Sequence, residues 1–184
     1  VRKAVGACRG LDWMRQRVRR PSQICQLYEN LSVVDDCDLA GRGGSRNRFA
    51  LRRPGPSEAR RAMAQTLCEL VHLQDVRDAD VSTLGYGQQR QLEIGLALAG
   101  APRFILFDEP AAGLSPTERV ELIEILQALP SHIGYIIIEH DMDVALRVAD
   151  TVTMMHNGRI FKEGTPEEIE SDPEVQALYL GGGH

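Results

Sequence analysis

The chain has 184 residues and a net charge of −5, and its 43% hydrophobic and 26% charged residues are typical of an ordinary globular domain. Aromatic residues make up only 5% and the arginines are scattered, which argues against a nucleic-acid partner. No stretch approaches the roughly 18 apolar residues of a membrane-spanning helix, and the N-terminus lacks the apolar core of a signal peptide, so we expect a soluble chain.

The first half of the chain contains a predicted loop and two predicted helices. Residues 1–19 favour neither a helix nor a strand, and we leave them unassigned. Residues 42–56 are rich in Gly, Pro and Arg and are typical of a loop. A helix is predicted to follow with Ser57 as its N-cap and one apolar face, formed by Met63, Leu67, Leu70 and Val71. A second helix is predicted after Gly87 and ends at Gly100.

Two short apolar runs in the second half predict buried strands, Phe104–Phe107 and Tyr135–Ile138. Between them, Ser115 to Glu118 has the pattern of a helix N-terminus with a capping box. Residues 151–162 predict a hairpin with an Asn-Gly turn, and Thr165 is predicted to cap a last helix. Strands that alternate with helices predict an α/β fold with a mainly parallel sheet.

Polar side chains follow both apolar runs. Asp108 and Glu109 end the first, and His140 closely follows the second. Ligands of open α/β sheets bind at the carboxyl ends of strands, where one carboxylate suits a phosphate-bound Mg²⁺ and another can polarise a water molecule. An imidazole there can donate to a phosphate oxygen. The alternatives are two surface acids after a core strand and a structural histidine.

Residues 84–90, LGYGQQR, place two glycines around Tyr86 just before a predicted helix. Backbone N–H groups at a helix N-terminus attract anions, and glycines allow a phosphate to come close. The alternative is a glycine-containing helix start that binds nothing.

Together these segments resemble the ABC ATPase family. LGYGQQRQLEIGLAL is similar to its signature motif, FILFDEP to its Walker B strand, AAGLSPTE to its D-loop and IIIEHDM to its switch-histidine loop. Upstream, PSQICQLYENLSV resembles the Q-loop region and puts the Q-loop glutamine at Gln23. No such resemblance is evident over residues 1–19, and we expect these to be non-family sequence.

The resemblance implies a P-loop NTPase (RecA-like) core with the family's helical subdomain. The Q-loop and helical subdomain would occupy residues 20–100, and the second half of the ATPase core residues 101–184. By resemblance, Asp108 and Gln23 are Mg²⁺ ligands, and Glu109, His140 and Gln23 are catalytic. The implied cofactors are ATP and Mg²⁺, and the implied nucleotide contacts are Leu84, Gly85, Tyr86, Gly87, Gln88, Asp108 and Ser115.

The resemblance also implies partners and a location. Two such subunits, identical or different, sandwich two ATP molecules and act on integral membrane permease subunits at the cytoplasmic side of the membrane. The segments GQQRQLEIGLAL, DEPAAGLSP, EHDM and YLGG look most like those of the ATPases of branched-chain amino-acid uptake systems. Importers of urea and short amides share that group.

Two departures from the family pattern stand out. No GxxxxGK[ST] motif is present, because Lys3 and Lys162 follow Arg2 and Phe161 rather than glycine. Gly85 stands where the signature has serine. We therefore expect the Walker A portion to be missing, and weak or no nucleotide binding by this chain alone.

Two competing interpretations follow from this pattern. One is a catalytically inactive remnant or interaction subunit that only donates a signature motif. The other is an ABC-type ATPase of DNA repair or chromosome structure. We reject the latter, because only 61 positions separate Gln23 from Leu84 and its coiled-coil arm does not fit between them.

Overall fold

The computed structural model of the chain describes residues 4–9, 18–19, 31–42 and 58–180. Gln23, Ser57 and all but the first residue of the predicted loop 42–56 lie outside the described residues. Within the described residues, no helix has the length and apolar character needed to cross a membrane.

The described strands form one six-stranded sheet with the order β2-β3-β4-β1-β5-β6. β2, β3 and β4 are parallel, whereas β1 pairs antiparallel with β4 and β5, and β5 pairs antiparallel with β6. The predicted α/β fold is confirmed, and its parallel part carries the strands that end in Asp108 and Glu139. The strands are β1 Ala4–Arg9, β2 Val18–Arg19, β3 Phe104–Asp108, β4 Gly134–Glu139, β5 Thr151–His156 and β6 Arg159–Gly164.

β3 and β4 pair in a register that runs from Phe104 beside Gly134 to Asp108 beside Ile138. Alternate side chains of both strands point into the core, as the period of a strand requires. The rings of Phe107 and Tyr135 meet edge to face there, with their centroids 6.0 Å apart. This register brings the residues that follow the two strands to the same edge of the sheet.

The structure describes seven α-helices: α1 Val33–Arg42, α2 Glu58–Leu70, α3 Tyr86–Ala99, α4 Pro116–Gln127, α5 Met142–Val148, α6 Pro166–Ser171 and α7 Pro173–Leu180. The first three pack against one another, and α4 packs four apolar side chains into the core. One detail of the predicted face of α2 is wrong, because Met63 is 43% exposed. The buried stripe is instead Ala64, Leu67, Cys68 and Val71. Met63 points away from this stripe, because successive residues of a helix are rotated by about 100° and Met63 precedes Ala64 by one position.

The predicted caps at Ser115 and Thr165 and the predicted hairpin are confirmed. Ser115 Oγ accepts from the Glu118 N–H at 3.4 Å, and Glu118 Oε2 accepts from the Ser115 N–H at 2.7 Å. Thr165 and Glu168 form the same reciprocal pair at the start of α6. The turn between β5 and β6 has positive φ at both Asn157 and Gly158, as a type I′ turn requires.

Candidate functional site

Asp108 and Glu109 leave the sheet at the carboxyl end of β3. Both are exposed, and the Glu109 N–H donates to the Ile138 carbonyl at 2.8 Å. Glu109 has φ of 47°, a left-handed conformation that non-glycine residues rarely adopt. Residues in such sparsely populated conformations occur preferentially at functional sites. The backbone therefore turns sharply at the predicted catalytic base and holds its carboxylate in the solvent.

His140 lies directly after β4, the strand that pairs with β3. Its Nδ1 atom is 3.8 Å from Glu109 Oε1 and 3.9 Å from Glu139 Oε2. The imidazole side chain is 59% exposed and the Glu109 side chain 54% exposed, so both are open to a ligand. The parallel pairing of β3 and β4 thus brings two of the predicted catalytic residues together.

Glu139 is a site residue that the sequence reasoning missed. Its side chain is completely buried, and its Oε1 accepts from the Ala111 N–H at 2.8 Å. Its Oε2 accepts from the N–H groups of His140 at 3.1 Å and Asp141 at 3.4 Å. The available signal was an acid at a position of β4 where strand alternation calls for an apolar residue.

The signature-like segment forms the start of α3, with Gly85 as the N-cap. The Gly85 N–H donates to Gln88 Oε1 at 3.0 Å, so this donor is used within the helix start. Leu84 has a buried side chain, and its carbonyl accepts from Gln89 Nε2 at 3.2 Å. Leu84 therefore anchors the turn through its buried side chain and its backbone.

The start of α3 packs against the loop after β3, residues 110–115. Tyr86 donates its hydroxyl hydrogen to the Ala112 carbonyl at 3.2 Å, and Arg90 Nη2 donates to the Tyr86 hydroxyl at 3.0 Å. Gly113 has φ of 78°, and a Cβ there would lie 3.1 Å from the Tyr86 ring. The predicted nucleotide contacts of α3 and Ser115 are therefore neighbours in one subunit.

Glu118 connects α4 to the second glycine of the signature-like segment. A Cβ on Gly87 would lie 2.2 Å from Glu118 Oε1, so only glycine leaves the carboxylate in place. The hydrogen bond with the Ser115 side chain, followed by those from the N–H groups of Ser115 and Gly87, holds the pKa of Glu118 below its usual range. The starts of α3 and α4 thus share one carboxylate.

Among the described residues, no cluster of side chains forms a metal site by itself. Across residues 31–42 and 58–180, no three His, Cys, Asp or Glu side chains converge as ligands. A single carboxylate such as Asp108 fits a Mg²⁺ ion that arrives on nucleotide phosphates, because Mg²⁺ keeps water and phosphate oxygens as most of its ligands. Gln23, the other predicted Mg²⁺ ligand, lies outside the described residues.

The sequence matches the family model described as "ABC transporter" over residues 4–112. The match therefore takes in most of residues 1–19, which we expected from the sequence to be non-family sequence. A second model, "Branched-chain amino acid ATP-binding cassette transporter", matches residues 163–184.

The sequence is similar over most of its length to curated ATP-binding proteins of transport systems. The high-affinity branched-chain amino acid transport ATP-binding protein BraF of Pseudomonas aeruginosa is 33% identical, with 91% of this chain and 69% of BraF covered. LivG of Salmonella typhimurium, of the same description, is 33% identical, with 94% of this chain and 71% of LivG covered. The lipopolysaccharide export system ATP-binding protein LptB of Escherichia coli is 36% identical, with 86% of this chain and 63% of LptB covered.

Solved structures show the same relationship. MJ1267, an ATP-binding cassette of an ABC transporter, superposes with a TM-score of 0.68 at 29% identity, with 88% of this chain and 68% of MJ1267 covered. Its ADP conformation gives a TM-score of 0.66 at 30% identity. The family match covers more than half of the chain, and the chain belongs to the ABC transporter ATP-binding family.

Proposed function

We propose that the chain is the ATP-binding and ATP-hydrolysing subunit of an ABC importer whose solute is a branched-chain amino acid. The observation that carries the catalytic part is the approach of His140 to Glu109 at the ends of adjacent parallel strands, 3.8 Å apart. The match of residues 163–184 to the branched-chain model and the names of BraF and LivG support the choice of solute.

In this proposal each site residue has a separate task. Asp108, together with Gln23, would hold Mg²⁺, which neutralises phosphate charge when it is bound with ATP. Glu109 orients the attacking water and accepts its proton. His140 donates a hydrogen bond to the γ-phosphate. In-line attack then needs little beyond positioning and electrostatics, which these groups supply.

The remaining proposed contacts belong to the ATP of a second subunit. The start of α3, from Gly85 to Gln88, and the loop that ends at Ser115 face that nucleotide across the dimer. Residues 20–100 would transmit closure of the dimer to integral membrane permease subunits, and residues 101–184 would carry the ATPase chemistry. The subunit would therefore act peripherally at the cytoplasmic side of the membrane.

The catalytic part is tested with Glu109→Gln in an assembled complex that hydrolyses ATP. A carboxamide cannot accept the proton, so turnover should fall by at least about 10²-fold while ATP binding persists. Phosphate release and nucleotide binding are measured on the same samples. Glu124→Gln, an exposed carboxylate on α4, is the matched control and should be neutral. Unchanged turnover in Glu109→Gln would remove that residue from the proposed role.

The solute is tested by uptake in cells whose subunit carries Glu109→Gln. Uptake of labelled leucine should fall while uptake of labelled urea is unaffected. Loss of urea uptake with normal leucine uptake would transfer the assignment to the urea and amide importers.

A second candidate is a chain that donates only its signature surface to an intact partner subunit. It is favoured by the lack of a GxxxxGK[ST] motif within these 184 residues. In that case, a complex with an intact partner would hydrolyse ATP at one site. Glu109→Gln would then leave turnover unchanged, whereas changes at the start of α3 would lower it.

A further inference from the structure

Among the described residues, Glu139 is a buried acid at the edge of the sheet that the proposed mechanism does not use. It shares a face of β4 with Tyr135 and Ile137, which are both fully buried. A carboxylate in such a position is costly unless its oxygens are hydrogen-bonded, so an acid here needs a reason beyond packing.

The hydrogen bonds of Glu139 join two separate segments of the chain. One oxygen accepts from the Ala111 N–H, a residue 28 positions away, and the other accepts from the N–H groups of His140 and Asp141. All three donors are backbone N–H groups. The carboxylate therefore supplies the acceptors that backbone carbonyls supply in a strand or a helix. Only a side chain with two acceptor oxygens and no donor can satisfy all three.

The two segments that Glu139 joins are those of the proposed catalytic pair. Ala111 follows Glu109 by two residues, and His140 is adjacent to Glu139. A second link supports the first, because Arg119 Nη1 bonds Asp141 Oδ2 at 2.7 Å and Arg119 Nε donates to the Leu114 carbonyl at 3.2 Å. The loop 110–115 is thereby tied to the start of α5 near both of its ends.

We propose that Glu139 is a positioning residue that holds the Glu109 loop and His140 in one arrangement, so that both side chains reach the same phosphate together. The inference rests on the proposed ATPase function and adds to it a residue that itself touches no nucleotide. Displacement of a reacting group by about 1 Å lowers rates by roughly 10²-fold. A side chain that fixes both loops, as Glu139 does, should therefore have a large effect on turnover.

The hydrogen bonds are tested on the chain itself by amide hydrogen exchange. The Ala111 amide should exchange at least about tenfold more slowly than the Gly113 amide, which has no acceptor among the described residues. In Glu139→Gln, the carboxamide presents donors to at least one of the three N–H groups, so exchange should accelerate about tenfold at Ala111 or at His140 and Asp141.

The Gly134 amide is the internal control, because its bond to the Arg103 carbonyl does not involve Glu139. An unprotected Ala111 amide in the unmodified chain would overturn the proposal without any variant, even if Glu139→Gln failed to fold. Unchanged exchange at all three amides in a folded Glu139→Gln chain would overturn it as well.

The catalytic consequence is tested in the assembled complex, with turnover expressed per molecule of bound nucleotide. Glu139→Gln should lower kcat by about 10²-fold and leave the KM for ATP within about twofold, because it disturbs the alignment of the catalytic pair and not the binding of nucleotide. Ile137→Ala, a buried change on the same face of β4, should leave turnover per bound nucleotide within about twofold.

Glu109→Gln, measured in parallel, separates this proposal from the proposed function. If Glu109→Gln abolishes turnover and Glu139→Gln does not lower it, the positioning role is wrong and the ATPase assignment stands. If Glu109→Gln has no effect, the proposed catalytic function itself fails. A rise in KM with normal kcat in Glu139→Gln would also overturn the positioning role.

Discussion

At the scale of the residue, the proposed catalytic side chains contribute little to the core. His140 is more than half exposed and lies at the end of a strand. We expect His140→Ala to lower ATPase activity in an active complex and to reduce the free energy of unfolding by no more than about 1 kcal/mol, because few packed atoms are lost. Steady-state turnover and denaturant unfolding of the same preparation measure the two effects.

The matched control is His132→Ala, which removes an exposed histidine from the turn between α4 and β4. This variant should keep both activity and stability. A large loss of stability in His140→Ala with normal activity per folded molecule would make His140 a structural residue.

At the scale of the element, the start of α4 depends on an ionised Glu118. Its pKa is lower in the folded chain than the ordinary value of 4.5, first because of the hydrogen bond with the Ser115 side chain. A lowered pKa stabilises the fold fully above that ordinary value, and the contribution is lost as the pH falls through the folded-state pKa. Glu118→Gln should therefore lower the melting temperature at about pH 7, and the difference should shrink as the pH falls below 4.5 and through the lowered folded-state pKa.

Glu124→Gln on the same helix is the control, and its effect on the melting temperature should be small at every pH. Gly87→Ala tests the contact between α3 and Glu118 independently, because the added methyl group takes the place of the carboxylate. In the Gly87→Ala background, Glu118→Gln should have little further effect. Additive effects of the two changes would show that the start of α3 and the cap of α4 are independent.

At the scale of the whole molecule, these 184 residues contain the proposed catalytic carboxylates but no GxxxxGK[ST] motif. A GxxxxGK[ST] loop supplies several charge-assisted hydrogen bonds of roughly 1.5–3 kcal/mol each, and the loss of three weakens binding by about 5 kcal/mol or more. We expect calorimetric titration of the purified chain to give a Kd for MgATP near or above about 1 mM.

The same titration after fusion to a P-loop-bearing N-terminal segment of a related subunit is the complementary measurement. It should show binding in roughly the micromolar range, because the lost donors are restored. Micromolar binding by the unfused chain would contradict the prediction and would mean that another part of the chain holds the phosphates.

Short-range patterns determined much of the fold and part of the candidate site. The caps at Ser115 and Thr165 and the turn at Asn157 were predictable because each depends on residues within four positions of one another. The apolar runs that became β3 and β4 were predictable from their period, and the polar residues after them indicated where a ligand binds. The approach of Glu109 to His140 was not part of that prediction, because it depends on the pairing of β3 with β4 in the folded sheet.

Only the tertiary structure decided which distant groups share hydrogen bonds and core space. β1 and β2 show no pattern in the sequence and are strands because neighbouring strands supply their hydrogen bonds. The burial of Glu139 and the contact of Gly87 with Glu118 each depend on residues about 30 positions away. For the segments with a clear pattern, the sequence alone determined which element they could form and which chemistry they carried, because those properties are local. Which buried donor meets which acceptor depends on the packing of the completed fold.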